Sequence, residues 1–144
     1  SFCTACSPSS AFKTVDNDTI NPNHLQGHWL IVNYWADWCE NCQAETPVLN
    51  QFYQQYHNQR ITLVAVNFDH LPLEKLKQAI TIDHITYPVL QHDPAEVWQL
   101  GAIAVLPTTF VINPHGQLVT KLIGVQSINT LTKALTKAGW QPSF

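Results

Sequence analysis

Two cysteines, in Cys39-Glu40-Asn41-Cys42, have the spacing in this chain that most directly suggests chemistry. They follow the apolar run Leu30-Ile31-Val32-Asn33-Tyr34-Trp35 and open a stretch with helical spacing. At that separation two sulfurs can bridge. A helix N-terminus stabilises a thiolate on the first of them. The chemistry implied is thiol–disulfide exchange, in which a thiolate attacks a disulfide and a second thiol displaces the captured partner. Cys39, at the exposed end of the helix, is the expected nucleophile. Cys42, one turn further in, is the expected resolving thiol and the more buried of the two. A structural disulfide and one half of a metal site are the competing readings; the strand-then-helix setting favours the redox pair.

The neighbours bear on that chemistry. Asp37 and Glu40 flank Cys39, and their charge opposes the thiolate. A less stabilised thiolate makes a more reducing couple, so the pair is expected to donate electrons, unless both acids are simply solvated. Glu45 lies three residues beyond Cys42, on the same helix face. It can take the proton of the resolving thiol if burial raises its pKa, or be an ordinary acid favoured by the helix dipole. Trp38 is a candidate surface platform beside the sulfur, while Trp35 and the other three tryptophans read as packing residues. Pro107 precedes an apolar run; a cis Leu106–Pro107 bond is possible there, and spacing alone does not select it.

The elements that must position these groups follow from periodicity. Trp29 to Trp35 and Ile61 to Phe68 are continuous apolar, β-rich runs that fit strands buried on both faces. Phe12 to Val15 reads as a short edge strand. Cys39 to about His57 is helical through Ala44, Val48, Phe52 and Tyr56, with Pro47 expected to kink it. Pro72 to about Ile82 is helical, Tyr87 to Leu90 is a short apolar segment, and Pro94 to Leu100 reads as a short helix stopped by Gly101. Thr108 to Ile112 and Leu118 to Ile123 form a hairpin about Asn113-Pro114-His115-Gly116. Ser127 is the expected N-cap of a last helix with Ile128, Leu131 and Leu135 inward. The result is an α/β three-layer sandwich with a mixed central sheet flanked by helices.

Composition limits the alternatives. The chain has 144 residues, 45% hydrophobic and 12% charged, enough for one domain with its own core. A net charge of −3 with no Lys/Arg cluster argues against a nucleic-acid partner. No apolar stretch approaches the roughly 20 residues of a membrane span. The chain begins at Ser1 and has no Met, as expected of a processed form of a longer precursor that can have carried a signal peptide or anchor. The second pair, Cys3 and Cys6, lies 32 residues before the first, against the roughly 15–20 of zinc ribbons, so neither a metal nor a cofactor is expected.

The stretch Leu25 to Pro47, with Trp35-Ala36-Asp37-Trp38-Cys39 at its centre, resembles the thioredoxin superfamily, in particular its extracytoplasmic TlpA/ResA-type branch. The likeness continues through Leu63-Val64-Ala65-Val66-Asn67, Tyr87-Pro88-Val89-Leu90, Gly101 and Leu106-Pro107-Thr108-Thr109-Phe110. The resemblance implies a thioredoxin-like domain over residues 12–144, with a helical insertion near 70–90 and a flexible tail or tether over 1–11. It implies that Cys39 and Cys42 attack and resolve, and that Pro107 is a cis-proline facing them. It also implies that Trp38, Glu40, Asn41, Leu106 and Pro107 meet the substrate. Glu45 matches the acid this branch carries after its second cysteine. Asn33 stands where ordinary thioredoxins have a buried aspartate, so proton handling is expected to move to Glu45. Asn41 departs from the proline of many relatives.

The function implied is a periplasmic or otherwise extracytoplasmic protein-disulfide reductase, with a role in cytochrome c maturation among the candidates. Its expected partners are disulfide-containing protein substrates, apocytochrome c among them, and a membrane electron-transfer protein as donor. An oxidase or isomerase on the same fold and a dithiol metal carrier are the rivals. The absence of Met and of a His beside the pair speaks against copper. Cys3 and Cys6 are open to three readings: a lipoprotein-signal remnant with Ser7 to Ser10 as a membrane tether, a second redox or metal pair, or thiols with no role.

Overall fold

Seven consecutive buried residues, Trp29–Trp35, form the central strand, and everything that carries the site is hung from it. The structure, a computed structural model, describes residues 11–143. Cys3, Cys6 and the expected tail therefore lie outside the described residues, apart from Ala11.

In chain order the elements are β1 (Phe12–Lys13), β2 (Thr19–Ile20), β3 (Trp29–Trp35), α1 (Glu40–Tyr56), β4 (Ile61–Asn67), α2 (Leu73–Ile82), β5 (Thr108–Ile112), β6 (Leu118–Ile123) and α3 (Ile128–Ala138). The main sheet has the order β4-β3-β5-β6. β3 runs parallel to β4, with Ile31 opposite Leu63, and antiparallel to β5, with Asn33 opposite Thr109. β1 and β2 pair separately, and the Val89–Leu90 segment links the two sheets through bridges to Ala65 and Thr14.

Side chains alternate across β3 with period two, so its two faces feed two cores. Trp29, Ile31 and Trp35 join Leu49 and Phe52 of α1, Leu76 of α2, and Leu131 and Leu135 of α3. Leu30, Val32 and Tyr34 meet Val64, Phe110, Trp98 and Leu100, with Phe12 and Ile20 packed against them. The mixed sheet flanked by helices is thus the expected fold class. Asn33 takes the α1 side by the same alternation and is the polar exception on it.

One element differs. Pro94 to Leu100 forms a set of turns and no helix. Gln99 takes a left-handed backbone, φ 53°, which ends helical propagation, and Leu100 N donates back five residues to Ala95 O at 2.9 Å. Trp98 and Leu100 are both buried, and they serve one looped layer over the second core. α1 runs through Pro47 as one helix, so the proline does not divide it. The end of the fold is as read: Ser127 caps α3 with a full capping box, its side chain accepting from Thr130 N at 3.1 Å.

Candidate redox site around Cys39 and Cys42

Cys39 is the N-cap of α1: its backbone is extended, and its Sγ accepts from Cys42 N at 3.1 Å. The side chain that an N-cap normally supplies as an oxygen is here a sulfur. Cys39 and Cys42 are joined by a disulfide with their Cα atoms 5.2 Å apart. The first turn of α1 therefore directs an N–H and the positive end of its dipole at Cys39, the arrangement that favours a thiolate there after reduction.

Burial departs from expectation at Cys39. It is 6% exposed against 3% for Cys42, so the order is as expected but the nucleophile candidate is covered. The cause is its position: capping and the bridge both turn its sulfur inward, where it joins a cluster with Trp35 and Ala36 against which Leu106 packs. The exposed surface belongs to its neighbours Asp37, Trp38, Glu40 and Asn41. Trp38 is 63% exposed and donates its Nε1 to Asp69 Oδ2 at 2.6 Å, which holds the ring over the loop after β4. Gln43 Nε2 donates to Asp37 O at 2.8 Å and steadies the approach to Cys39.

Glu45 is 1% exposed. Asn33 Nδ2 donates to its Oε1 at 2.8 Å, and the backbone N–H of Gln126 donates to its Oε2 at 2.7 Å. Burial pushes the Glu45 carboxyl above the ordinary carboxylate range, and these two hydrogen bonds pull it partly back. Asn33 Nδ2 also donates to Thr109 Oγ1 at 3.0 Å, so one amide ties β3 to α1 and β5. Burial likewise pushes the Tyr87 hydroxyl up, and Thr46 Oγ1 donates to Cys42 O at 3.1 Å.

The Leu106–Pro107 bond is cis. Pro107 is buried and Leu106 half-buried at the start of β5. Because β5 runs antiparallel to β3, its first residues lie at the sheet edge where β3 ends and the cysteine loop begins. Pro107 O accepts from Gly124 N at 2.9 Å. The structure thus brings the two cysteines, Glu45 and Trp38 onto one end of the sheet with Leu106 and Pro107, and Glu40 and Asn41 form the exposed rim. Asn33 joins them through its bond to Glu45.

Two members of the site were not read from sequence. Thr109 faces Asn33 across the β3–β5 ladder, which a correct pairing of those strands would have found. Gln126 carries no local signal, since its partner is 81 residues away. Among the described residues no group of three or more His, Cys, Asp or Glu is placed to hold a metal ion.

The family model described as AhpC/TSA matches residues 4–121, which span both site cysteines and Pro107. The chain belongs to the AhpC/TSA family. Among curated relatives, this AhpC/TSA member is 32% identical over 117 residues to the thiol-disulfide oxidoreductase ResA of Oceanobacillus iheyensis, covering 81% of this chain and 60% of that protein. The chain therefore spans about three-fifths of that relative's length. Among solved structures, a thiol:disulfide interchange protein of the thioredoxin family from Chlorobium tepidum superposes with a TM-score of 0.73 at 28% identity, covering 92% of this chain and 94% of that one. StoA from Bacillus subtilis superposes with a TM-score of 0.71 at 25% identity, covering 86% and 93%. The fold of this AhpC/TSA member is thus the thioredoxin fold, and its cysteine pair occupies the end of the sheet described above.

Proposed function

We propose that this chain is a thiol–disulfide oxidoreductase of the bacterial cell envelope that reduces disulfides in protein substrates. The observation that carries the reading is the Cys39–Cys42 bridge at the cap of α1, with Cys39 Sγ already accepting a helix N–H. The names of its relatives, thiol-disulfide oxidoreductase and thiol:disulfide interchange protein, support the reaction class.

The cycle starts from the dithiol. Cys39 thiolate attacks one sulfur of a substrate disulfide, that S–S bond breaks, and the other substrate sulfur leaves as thiolate. Cys42 loses its proton to Glu45 and attacks Cys39 Sγ. The mixed disulfide breaks, the substrate leaves with both thiols reduced, and the bridge described here forms. Two electrons pass from the pair to the substrate. Leu106, Pro107, Trp38, Glu40 and Asn41 form the surface on which the substrate segment lies. The pair is then oxidised and needs a donor, for which a membrane electron-transfer protein is the partner proposed. An apocytochrome c disulfide is the substrate proposed downstream. No helix among the described residues is long and apolar enough to cross a membrane.

Trapping tests the reading. Cys42→Ala leaves Cys39 unable to release a captured partner, so mixed disulfides through Cys39 should accumulate in a native extract. None forming, although reduced Cys39 alkylates in the folded protein, sinks the oxidoreductase. Failure of reduced Cys39 to alkylate at all sinks it as well, because 6% exposure in the bridged form must open on reduction for attack to occur. Direction is read from the potential. A reductant should lie near or below the roughly −270 mV of thioredoxin, and a value well above it assigns the chain to oxidation.

A further inference from the structure

The turn between β6 and α3 reaches both sides of the site, and one side chain shapes it. Gln126 is 8% exposed, a buried amide with no part in the exchange steps above. Its Nε2 donates to Gly124 O at 3.1 Å and more weakly to Ile123 O at 3.4 Å, so the side chain closes the turn on itself. The closed turn makes two outward bonds. Gly124 N donates to Pro107 O, and Gln126 N donates to Glu45 Oε2. Gly124 has φ 86°, a left-handed backbone that a larger residue would strain, so the turn's shape is set at this residue as well.

We propose that Gln126 is a positioning residue for Glu45: its side-chain amide folds the Ile123–Gln126 turn so that the last N–H of the turn is held against the buried carboxylate, and this contact sets the proton affinity of Glu45. The inference rests on the reading of Glu45 as proton acceptor only for its consequence in the reaction; the effect on Glu45 itself stands apart from it. An N–H donated to a carboxylate stabilises the charged form and is among the stronger hydrogen bonds. The other groups around the carboxylate are Asn33 from β3, which does not titrate, the Cys39/Cys42 pair at the start of α1, and Tyr87 from the segment before β5, whose hydroxyl is neutral well past physiological pH. Gln126, like Asn33, is thus a contact to Glu45 that can be altered without adding a charge or touching the sulfurs.

The test is Gln126→Met, which keeps the volume and loses both amide donors. Gln126→Asn, one methylene shorter, is the second variant in case the first does not fold. The readout is the titration of the Glu45 side-chain carboxyl carbon by NMR in the oxidised full chain, where no exchange occurs. The midpoint should rise by about one pH unit, the tenfold change in proton affinity expected when one charge-assisted hydrogen bond is weakened. A folded variant whose midpoint matches the parent overturns the proposal. In the reduced protein, the pH profile of Cys42-dependent release should move up by the same amount. A moved midpoint with an unmoved profile supports the positioning role and removes Glu45 from proton transfer. Trapping failure with Cys42→Ala would overturn the oxidoreductase and leave the titration result standing.

Discussion

Asn33, at the centre of the sheet, donates to Glu45 at 2.8 Å, and the two side chains share a face only because β3 alternation turns Asn33 toward α1. A neutral amide beside a buried carboxyl supports the charged form without adding a second charge. An aspartate at the same place would compete with Glu45 for one proton.

Asn33→Asp should therefore raise the Glu45 midpoint and lower stability above the carboxylate range, where two like charges would face each other in the core. Asn33→Ala should cost about 1–3 kcal/mol, because it strips one donor from a buried carboxylate. Urea unfolding at several pH values separates the two. The Asp variant should be strongly pH-dependent and the Ala variant much less so. Equal pH slopes would show that Asn33 does not govern the carboxyl.

The raised pKa of Glu45 makes a signed prediction for stability. Its native carboxyl binds the proton more tightly than the unfolded one, whose ordinary value is 4.5. The contribution of this group is therefore fully present below that value and is lost as pH rises through the native pKa. Relative to Glu45→Gln, which does not titrate, the parent should lose stability as pH rises from about 4.5. The difference in unfolding free energy, measured against pH, should be flat below that window and fall within it. A difference that grows with pH would mean the hydrogen bonds outweigh burial.

Cys39 doubles as a helix cap, so its two duties can be separated. Cys39→Ser keeps a side-chain acceptor for Cys42 N, whereas Cys39→Ala keeps none. Measured with Cys42 reduced, the Ser variant should be more stable by about 0.5–2 kcal/mol. Both should be inert in disulfide exchange. Equal thermal midpoints would mean the cap contributes nothing.

Trp38→Ala should cost little in stability, within about 0.5 kcal/mol, since the ring is mostly exposed and held at its rim by Asp69. It should slow exchange with a folded protein disulfide more than with a small disulfide reagent. Stopped-flow rates for the two substrates give the ratio. An unchanged ratio removes Trp38 from substrate contact.

The strands of the site were readable because a strand buried on both faces leaves a continuous apolar run, and Trp29–Trp35 and Ile61–Asn67 carry that mark. The bridged pair was readable as a position from its spacing and from the strand before it. Glu45 was readable as a position, but its environment was not. Two partners of that cluster come from Thr109 and Gln126, which meet Asn33 and Glu45 from 76 and 81 residues away. Such contacts follow from strand pairing and turn closure, which no local pattern encodes. Pro94 to Leu100 misled for a related reason: Pro94 and Trp98, both buried, stand about one helical turn apart, and the left-handed Gln99 that ends the turn has no mark in its residue type. The cis Leu106–Pro107 bond came from the family likeness alone.

The antiparallel junction of β3 with β5 has a practical outcome. The cysteine loop leaves the final residue of one strand, and Leu106 and Pro107 enter the first residue of the other, so a single rim is assembled from stretches separated by nearly half of the chain. A synthetic peptide copying the cysteine motif, or a fragment that stops before residue 100, would own both sulfurs yet lack Leu106 and Pro107, the surface proposed to hold the substrate. Grafting the motif elsewhere would transplant a reagent and leave the catalyst behind.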